Sequence, residues 1–284
     1  MRKRLAPYLL ILPGGLWLGV FFVIPMVAMV SVSLQTGSLI SGFHQALAFG
    51  NYRDVITAYH TQLLRSLVYG LVTTILTIAL AYPMAYWIAF RGGRHKSTYL
   101  FLILLPFFVT FVIRTISWQF LLADNGILLG PLKSWGLLPQ NFHVLATGVA
   151  VVGGLVYNFL PFMVLPIYVA LERIDRQLVE AASDLFANRT QAFLRVILPL
   201  SLPGVFAGVI LTFVPACSDY VNATILGGTG QVMIGNIIET LYLTNSQYPQ
   251  AAALSSVLLA ALLLGIFAYA KALGTRDVLD ASAG

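Results

Sequence analysis

VLATGVAVVGGLVYNFLPFMVLPIYVAL (144–171) and SLPGVFAGVILTFVPACSDYVNATI (201–225) are two apolar stretches separated by ERIDRQLVEAASDLFANRTQAFLRVILPL (172–200), a segment dense in charge. A helix needs about 20 largely apolar residues to cross the hydrocarbon core of a bilayer. Both flanking stretches are long enough, so they read as membrane spans joined by a loop in water. Four more stretches qualify, over about 8–34, 63–90, 98–122 and 251–273. The expectation is an all-α membrane protein of six transmembrane helices, with residues 1–284 as one transmembrane domain. Pro25, Pro83, Pro106, Pro161, Pro166 and Pro215 fall inside these stretches. Prolines are tolerated within membrane helices when neighbouring groups take up the freed carbonyls.

Composition agrees with this reading. Hydrophobic residues make up 59% of the chain and charged residues 9%, against about 25% charged in a typical soluble domain. The opening Met1-Arg2-Lys3-Arg4 has the charge of a signal peptide. The apolar stretch after it is too long for one and ends in no small-residue cleavage site, so it reads as a retained first span.

The net charge of +6 is placed unevenly. With the N-terminus inside, the cytoplasmic segments hold Arg2, Lys3, Arg4, Arg91, Arg94, Lys96, Arg173, Arg176, Arg189, Arg195, Lys271 and Arg276. The opposite side holds Arg53, Arg65 and Lys133. Twelve basic residues against three set both termini and the 172–200 loop in the cytoplasm. The same distribution accounts for the high isoelectric point without nucleic acid, since no basic stripe interleaved with aromatics is present.

The 172–200 loop carries helical period. Leu178, Ala182 and Leu185 share one face, with Val179 and Phe186 beside them; Arg176, Glu180 and Asp184 share another. Arg176 and Glu180 are spaced to pair, and Glu180 and Asp184 to repel mildly. A polar turn at Asn188-Arg189-Thr190 precedes a second short helix that leads through Phe193 to Leu198-Pro199-Leu200. Such a hairpin can lie on the lipid surface, or it can dock a cytoplasmic partner and pass on a rigid-body movement.

The run Glu180-Ala181-Ala182, then Phe193, then Leu198-Pro199-Leu200, lying between the fourth and fifth spans, resembles the EAA loop of importer-type ABC permeases. Further matches are Pro13-Gly14 with Trp17, Phe22 and Pro25; Asn51-Tyr52; Arg65-Ser66-Leu67; Tyr82-Pro83; Pro106-Phe107-Phe108; Arg114 with Trp118; and Asn125-Gly126. Leu226-Gly227-Gly228, Met233-Ile234-Gly235-Asn236, Tyr248-Pro249 and Ala251-Ala252 are similar to the last third of polyamine-type (spermidine/putrescine) permeases. Iron, sulfate, molybdate and phosphonate permeases share parts of this pattern.

The resemblance implies a type I ABC importer permease fold in a bacterial inner membrane. It implies partners: two ATPase subunits, a second permease subunit and an extracytoplasmic substrate-binding protein. ATP and Mg would bind the ATPases, because this chain has no Gly-x-x-x-x-Gly-Lys-Ser/Thr loop. It implies a coupling element formed by Glu180, Ala181, Ala182, Asp184, Leu185, Phe186 and Arg189. The family usually has glycine three or four residues after the second alanine. Phe186 stands there, so either the turn is shaped differently or Phe186 fills an apolar pocket on the ATPase.

A polyamine path needs carboxylates for the ammonium groups and aromatics for the stem. Among the external acids Asp54, Asp124, Asp219 and Glu239, Asp219 beside Tyr220 is the best placed, with Trp118 and Tyr157 on spans able to face the path. The alternative is a solvated loop acid at Asp219 and an aromatic-belt residue at Trp118. Glu239 is also a candidate contact for the binding protein. Arg114 reads as a structural cation near the outer surface, with a path residue as the alternative. Cys217 reads as a small buried hydrophobe. His44, His60, His95 and His143 lack ligand spacing, so no metal site is expected, and no grouping supports catalysis by this chain. A stand-alone channel or secondary transporter would need ion relays deep in several spans, and apart from Arg114 the spans lack them.

Overall fold

The computed structural model describes residues 12–272. Arg2, Lys3, Arg4 and Arg276, the start of the first expected span over 8–11 and residue 273 at the end of the last lie outside the described residues. Among the described residues five helices are long and apolar enough to cross a membrane: α1 (Leu12–Ser33), α2 (Gly50–Arg91), α6 (Gly148–Glu172), α8 (Arg189–Ser218) and α11, whose spanning part is Tyr248–Lys271. The sixth is a bent pair, Gly93–Phe108 followed by Phe111–Leu122, at 90° to each other. Its α-helical parts are α3 (Lys96–Leu104) and α4 (Phe111–Leu122). Short helices complete the chain: α5 (Leu129–Ser134), α7 (Arg176–Asp184), α9 (Val221–Leu226) and α10 (Ile234–Glu239). A two-stranded antiparallel hairpin, β1 (Gln35–Ser38) and β2 (Gly42–Gln45), pairs Gln35 with Gln45 and Ser38 with Gly42.

The prolines behave differently from one another, for local reasons. Pro83, Pro161, Pro166, Pro203 and Pro215 lie within continuous helix. In α1 and α8 a π-helical turn, Gly19–Val23 and Phe193–Ile197, stands just before Pro25 and Pro199. The wider turn re-routes carbonyls that a missing proline N–H would leave unbonded. At Pro106 the helix stops instead. Leu105–Phe108 tighten into a 3₁₀ turn, and Val109 (ψ 139) and Thr110 (ψ 147) are extended before α4 begins. The stretch 98–122, apolar throughout, is thus two helices at right angles. The fifth apolar stretch differs too: α8 starts at Arg189 and ends at Ser218, because the Asp219 carboxylate accepts from the Asn222 backbone (2.7 Å) and opens α9.

The described residues fall into two units, 12–60 with Ile237–Ala261, and Thr61–Asn236 with 262–272. In the first, the Asn51 carboxamide donates to Ser33 O (2.8 Å) and Gln35 O (2.9 Å), joining the end of α1 to β1. The Tyr52 hydroxyl meets that of Ser33 at 2.6 Å. These bonds give the Asn51-Tyr52 pair a structural role. On β2, the Phe43 ring packs on Tyr248 with centroids 5.4 Å apart.

In the second unit α6 is the central element, buried along much of its length. It crosses α8 closely at Gly204 and Gly208, one turn apart. A Cβ at Gly204 would stand 2.5 Å from Pro166 O and Ala170 Cβ, and one at Gly208 2.6 Å from the Met163 sulfur. Without a strong hydrophobic drive between helices in lipid, such close approach supplies the packing. One apolar cluster joins Ala81, Ala85 and Ala89 of α2 to Met163, Val164, Ile167 and Leu171 of α6 and Ile197 of α8. A second joins Val151, Leu155 and Phe159 of α6 to Ala216, Ala223 and Met233. Cys217 is fully buried. Lys96, at the start of α3, makes a two-pronged ion pair with Glu172 at the end of α6, both distances 2.8 Å.

Candidate functional site

Two sites follow from the second unit: a charged helical hairpin at one end of α6 and α8, and a polar cluster around Asp219.

The hairpin is built from short-range hydrogen bonds. Asp175 Oδ1 accepts from Gln177 N (2.9 Å) and starts α7. At the other end Leu185 N donates to Ala181 O (3.1 Å) and Ala187 N to Ala182 O (3.0 Å). Phe186 sits between them at φ 61. This is the Schellman close, in which a left-handed residue, usually glycine, lets the next N–H reach back five residues. The turn at Phe186 therefore keeps the shape that glycine would give it. Asn188 then opens the following helix with a capping box: Gln191 N donates to Asn188 Oδ1 (2.8 Å) and Asn188 N to Gln191 Oε1 (2.9 Å). The Asn-x-x-Gln spacing is a sequence signal for this cap, and it is the part of the loop that periodicity alone does not reveal.

The faces of α7 sort differently from the pattern of apolar residues. Val179 and Ile174 pack on the cluster that α2 and α6 share, and Ala182 is half-buried. Leu178 points outward, and Leu185 and Phe186 are 82% and 97% exposed. Glu180, Ala181, Asp184 and Arg189 are exposed as well. Among the described residues the ion pairs are Lys96–Glu172 and Lys133–Asp124, so the Arg176–Glu180 pair that the spacing allows is not made. Two long side chains at a solvated surface gain little by pairing. Phe193, in the second arm of the hairpin, lies edge-on to Tyr82 and Tyr86 of α2, with centroids 5.7 and 5.8 Å away.

At the polar cluster, Asp219 Oδ1 accepts from the Asn222 backbone N–H (2.7 Å) and from its Nδ2 (3.2 Å). Asn222 Oδ1 in turn accepts from Asn158 Nδ2 (3.2 Å) and Thr115 Oγ1 (3.3 Å). Asn158 and Asn222 are buried, and Asn158 lies midway along apolar α6. An amide at membrane depth is itself a signal of a protein-facing polar group, and Asn158, being uncharged, leaves no trace in the charge pattern of the sequence. Trp118 of α4 and Tyr157 of α6 meet edge-to-face at 5.4 Å, so the same two helices carry both the ring pair and the partners of Asn222. The Tyr220 side chain is exposed. Glu239, half-buried, ends α10 and belongs to the other unit.

Arg114, 7% exposed, lies with its guanidinium carbon 4.2 Å over the Phe107 ring and 5.8 Å from that of Phe111. Aromatic faces stabilise a cation held out of water, so Phe107, Phe111 and Arg114 form one group at the bend between α3 and α4. Among the described residues no group of three His, Cys, Asp or Glu converges.

The segment that carries Met-Ile-Gly-Asn is held by a clip of hydrogen bonds. Arg65 Nη1 donates to Val232 O (2.9 Å), Ile234 N to Ser66 Oγ (2.8 Å), and Tyr69 bonds Gln231. Asn236 Oδ1 accepts from Met233 N (3.0 Å), while its Nδ2 donates to Tyr220 O (3.0 Å) and Thr224 Oγ1 (2.7 Å). Arg65, Ser66 and Tyr69 thus share a duty on α2: they staple the segment that follows α9. Residues that carry the resemblance to polyamine-type permeases serve here as scaffold behind Tyr220.

The profile of the family described as "Binding-protein-dependent transport system inner membrane component" matches residues 55–273. The spermidine/putrescine transport system permease protein PotB of Haemophilus influenzae is 35% identical over 257 residues, covering 90% of each chain. The protein of the same name from Escherichia coli K12 is 33% identical over 257 residues, covering 90% of this chain and 94% of that one. Among solved structures, a bacterial ABC transporter that imports the acidic polysaccharide alginate has a chain similar at TM-score 0.71 and 18% identity, over 97% of this chain and 96% of that one. A chain of the MetNI methionine ABC transporter is similar at TM-score 0.54 and 17% identity, over 78% and 94%. At those identities the structural likeness concerns the fold, which is that of a type I importer permease. Sequence and fold together place this chain in the family of binding-protein-dependent transport system inner membrane components.

Proposed function

We propose that this chain is the permease subunit of an ATP-driven polyamine importer, that the hairpin of its 172–200 loop is the docking element for an ATPase subunit, and that Asp219 meets the cargo. The observation that carries the docking is the hairpin tip. Leu185 and Phe186 are almost fully exposed at the end of a helix that packs inward through Val179, and Leu178 is exposed beside them. In water such a pair gains by burial on a partner. Glu180, Asp184 and Arg189 surround it with charge that fixes orientation. Two ATPase subunits holding ATP and Mg, a second permease subunit and an extracytoplasmic binding protein complete the assembly. Closure of the ATPases moves the hairpin, and packed helices follow as units to open the path outward.

The cargo reading is supported by the relatives named for spermidine and putrescine transport and by the chemistry of Asp219. Both hydrogen bonds to its carboxylate fall on Oδ1, and Oδ2 accepts none among the described residues. A carboxylate with one oxygen anchored and one open can accept an ammonium group while keeping its orientation. Tyr220 next to it and the Trp118–Tyr157 pair offer aromatic faces for the methylene stem and its charges. Glu239 is assigned to the docked binding protein.

The test combines uptake with purification. A strain lacking the gene is complemented with the wild-type chain, and uptake of radiolabelled spermidine, putrescine, iron and sulfate is measured. Restored polyamine uptake is expected. Restoration of another solute with unchanged polyamine uptake overturns the cargo. Tagged wild type in mild detergent is expected to bring down an ATPase and a second permease, and Glu180→Arg to lose the ATPase. A chain that purifies alone overturns the docking.

A further inference from the structure

We propose that Phe193 is a positioning residue that passes movement of the hairpin to α2, and that the π-helical turn Phe193–Ile197 is the joint at which α8 yields. The proposal rests on the docking role of the hairpin given above, and adds how a displacement there reaches a membrane span.

The geometry is specific. Tyr82 and Tyr86 are one turn apart on α2, so their rings stand in a row on one face. Phe193 meets both nearly at right angles, 89° and 80°, and so sits as a single key against two teeth. Edge-to-face contacts hold a ring in direction as well as in distance. Past the π turn a second tie reaches the same helix: the Tyr82 hydroxyl lies 2.8 Å from Ser201 Oγ. Ser201 donates its one hydroxyl hydrogen to Leu198 O (2.9 Å), so Tyr82 is the donor to Ser201. Tyr82 therefore grips α8 at both ends of the π turn, by its ring on the first residue of the turn and by its hydroxyl just past the last.

Between these grips lies the π turn itself, which ends at the buried Ile197. A π turn carries one residue more than the α-helix and can be passed along it, and Pro199 removes a donor just beyond. The small side chains of Ala81, Ala85 and Ala89 line the neighbouring strip of α2. They leave Tyr82 and Tyr86 as the projecting groups on which α8 can push. A hairpin displacement thus has a route into α2 through rings in contact, and a place where α8 can absorb the remainder.

The experiment uses the whole transporter in proteoliposomes, with ATPase, both permeases and binding protein, and with radiolabelled spermidine, iron and sulfate offered in parallel. Solute accumulated per ATP hydrolysed is measured on whichever solute the wild type takes up, and ATPase retention is measured by purification. Phe193→Ala is expected to keep the ATPase bound while solute per ATP falls roughly tenfold, the scale of a lost coupling contact. Phe193→Tyr, which restores a ring edge, is expected to recover it. Tyr82→Phe, which keeps the ring and loses the grip on Ser201, is expected to fall in between. Wild-type solute per ATP in Phe193→Ala overturns the proposal, as does loss of the ATPase from it, which would make Phe193 a docking residue. Should Phe193→Ala fail to fold by gel filtration, Tyr82→Phe and Tyr86→Leu decide, and normal coupling in both overturns it. The docking reading fails separately, when Glu180→Arg leaves the ATPase in place.

Discussion

Replacing Phe186 separates two energies that the wild-type hairpin holds in one residue. A bulky side chain at φ 61 costs about 1–2 kcal/mol in backbone strain. Glycine removes that strain and adds about 0.5–1 kcal/mol of unfolded-chain entropy, so Phe186→Gly should stabilise the turn by about 1 kcal/mol. The amide that reports this is Ala187 N–H, whose bond to Ala182 O depends on the left-handed residue before it. Its hydrogen exchange should slow about fivefold, the equivalent of 1 kcal/mol. Docking should respond in the opposite direction. The ring is 97% exposed in the single chain, and burying such a side chain gains about 1.5–3 kcal/mol. Strain present both free and bound cancels in the binding equilibrium. Phe186→Gly and Phe186→Ala should therefore weaken ATPase binding alike, by about 10-fold to 100-fold, while only the glycine variant protects Ala187. The assay is titration of purified ATPase onto the permease pair in nanodiscs, beside hydrogen exchange on the same samples. Binding by Phe186→Gly as tight as wild type would refute the reasoning, because the strained aromatic would then be serving no partner.

Other variants test the remaining sites. Asp219→Asn keeps the Oδ1 acceptor for Asn222 and removes the charge, so the complex should be recovered in wild-type yield while spermidine uptake falls about tenfold or more; unchanged uptake counts against Asp219 as a cargo contact. Asn222→Leu strips partners from Asp219, Asn158 and Thr115 together and should cost about 2–3 kcal/mol, whereas Asn158→Leu should cost about 1 kcal/mol because it also removes an oxygen, Oδ1, that has no partner. Thermal unfolding in detergent should rank them in that order, and the reverse order would contradict the network. A Cβ at Gly70 would lie 2.2 Å from the Cys217 sulfur. Gly70→Ala should therefore destabilise by about 1–3 kcal/mol, and adding Cys217→Ala should recover most of it in a double-mutant cycle; additive losses would place the clash elsewhere.

Apolar length was enough to find the helices, because in lipid each backbone must bond within its own segment. It was not enough to find the right-angled break at Val109 and Thr110. Pro106 carries the same sequence signal as Pro83 or Pro161, and what differs is whether an extended pair follows it. The loop was legible as two short helices with a polar turn between them, but the shape at Phe186 was left open, because a bulky residue rarely takes the left-handed conformation that it has here. The Arg176–Glu180 pair was not legible, since spacing permits a surface ion pair without making it worth its entropy. At the polar cluster, attention to charged groups led to Asp219. Asn158, Asn222 and Asn236, uncharged but equally obliged to bond, had to be read from the folded chain. Arg65 and Ser66, 167 and 168 residues from the backbone groups they hold, leave no local trace of that duty.

The hairpin also has a bearing on synthesis. Its defining bonds, from Asp175 to Gln177, Ala182 to Ala187 and Asn188 to Gln191, each span at most five residues. Contacts that short form within microseconds, while a ribosome adds only about 5–20 residues per second. The hairpin can therefore take shape as soon as it emerges, before α8 has been fully made and before α11 exists. A cytoplasmic partner that recognises this element would find it on the nascent chain, so assembly of the transporter can begin ahead of the last membrane insertion.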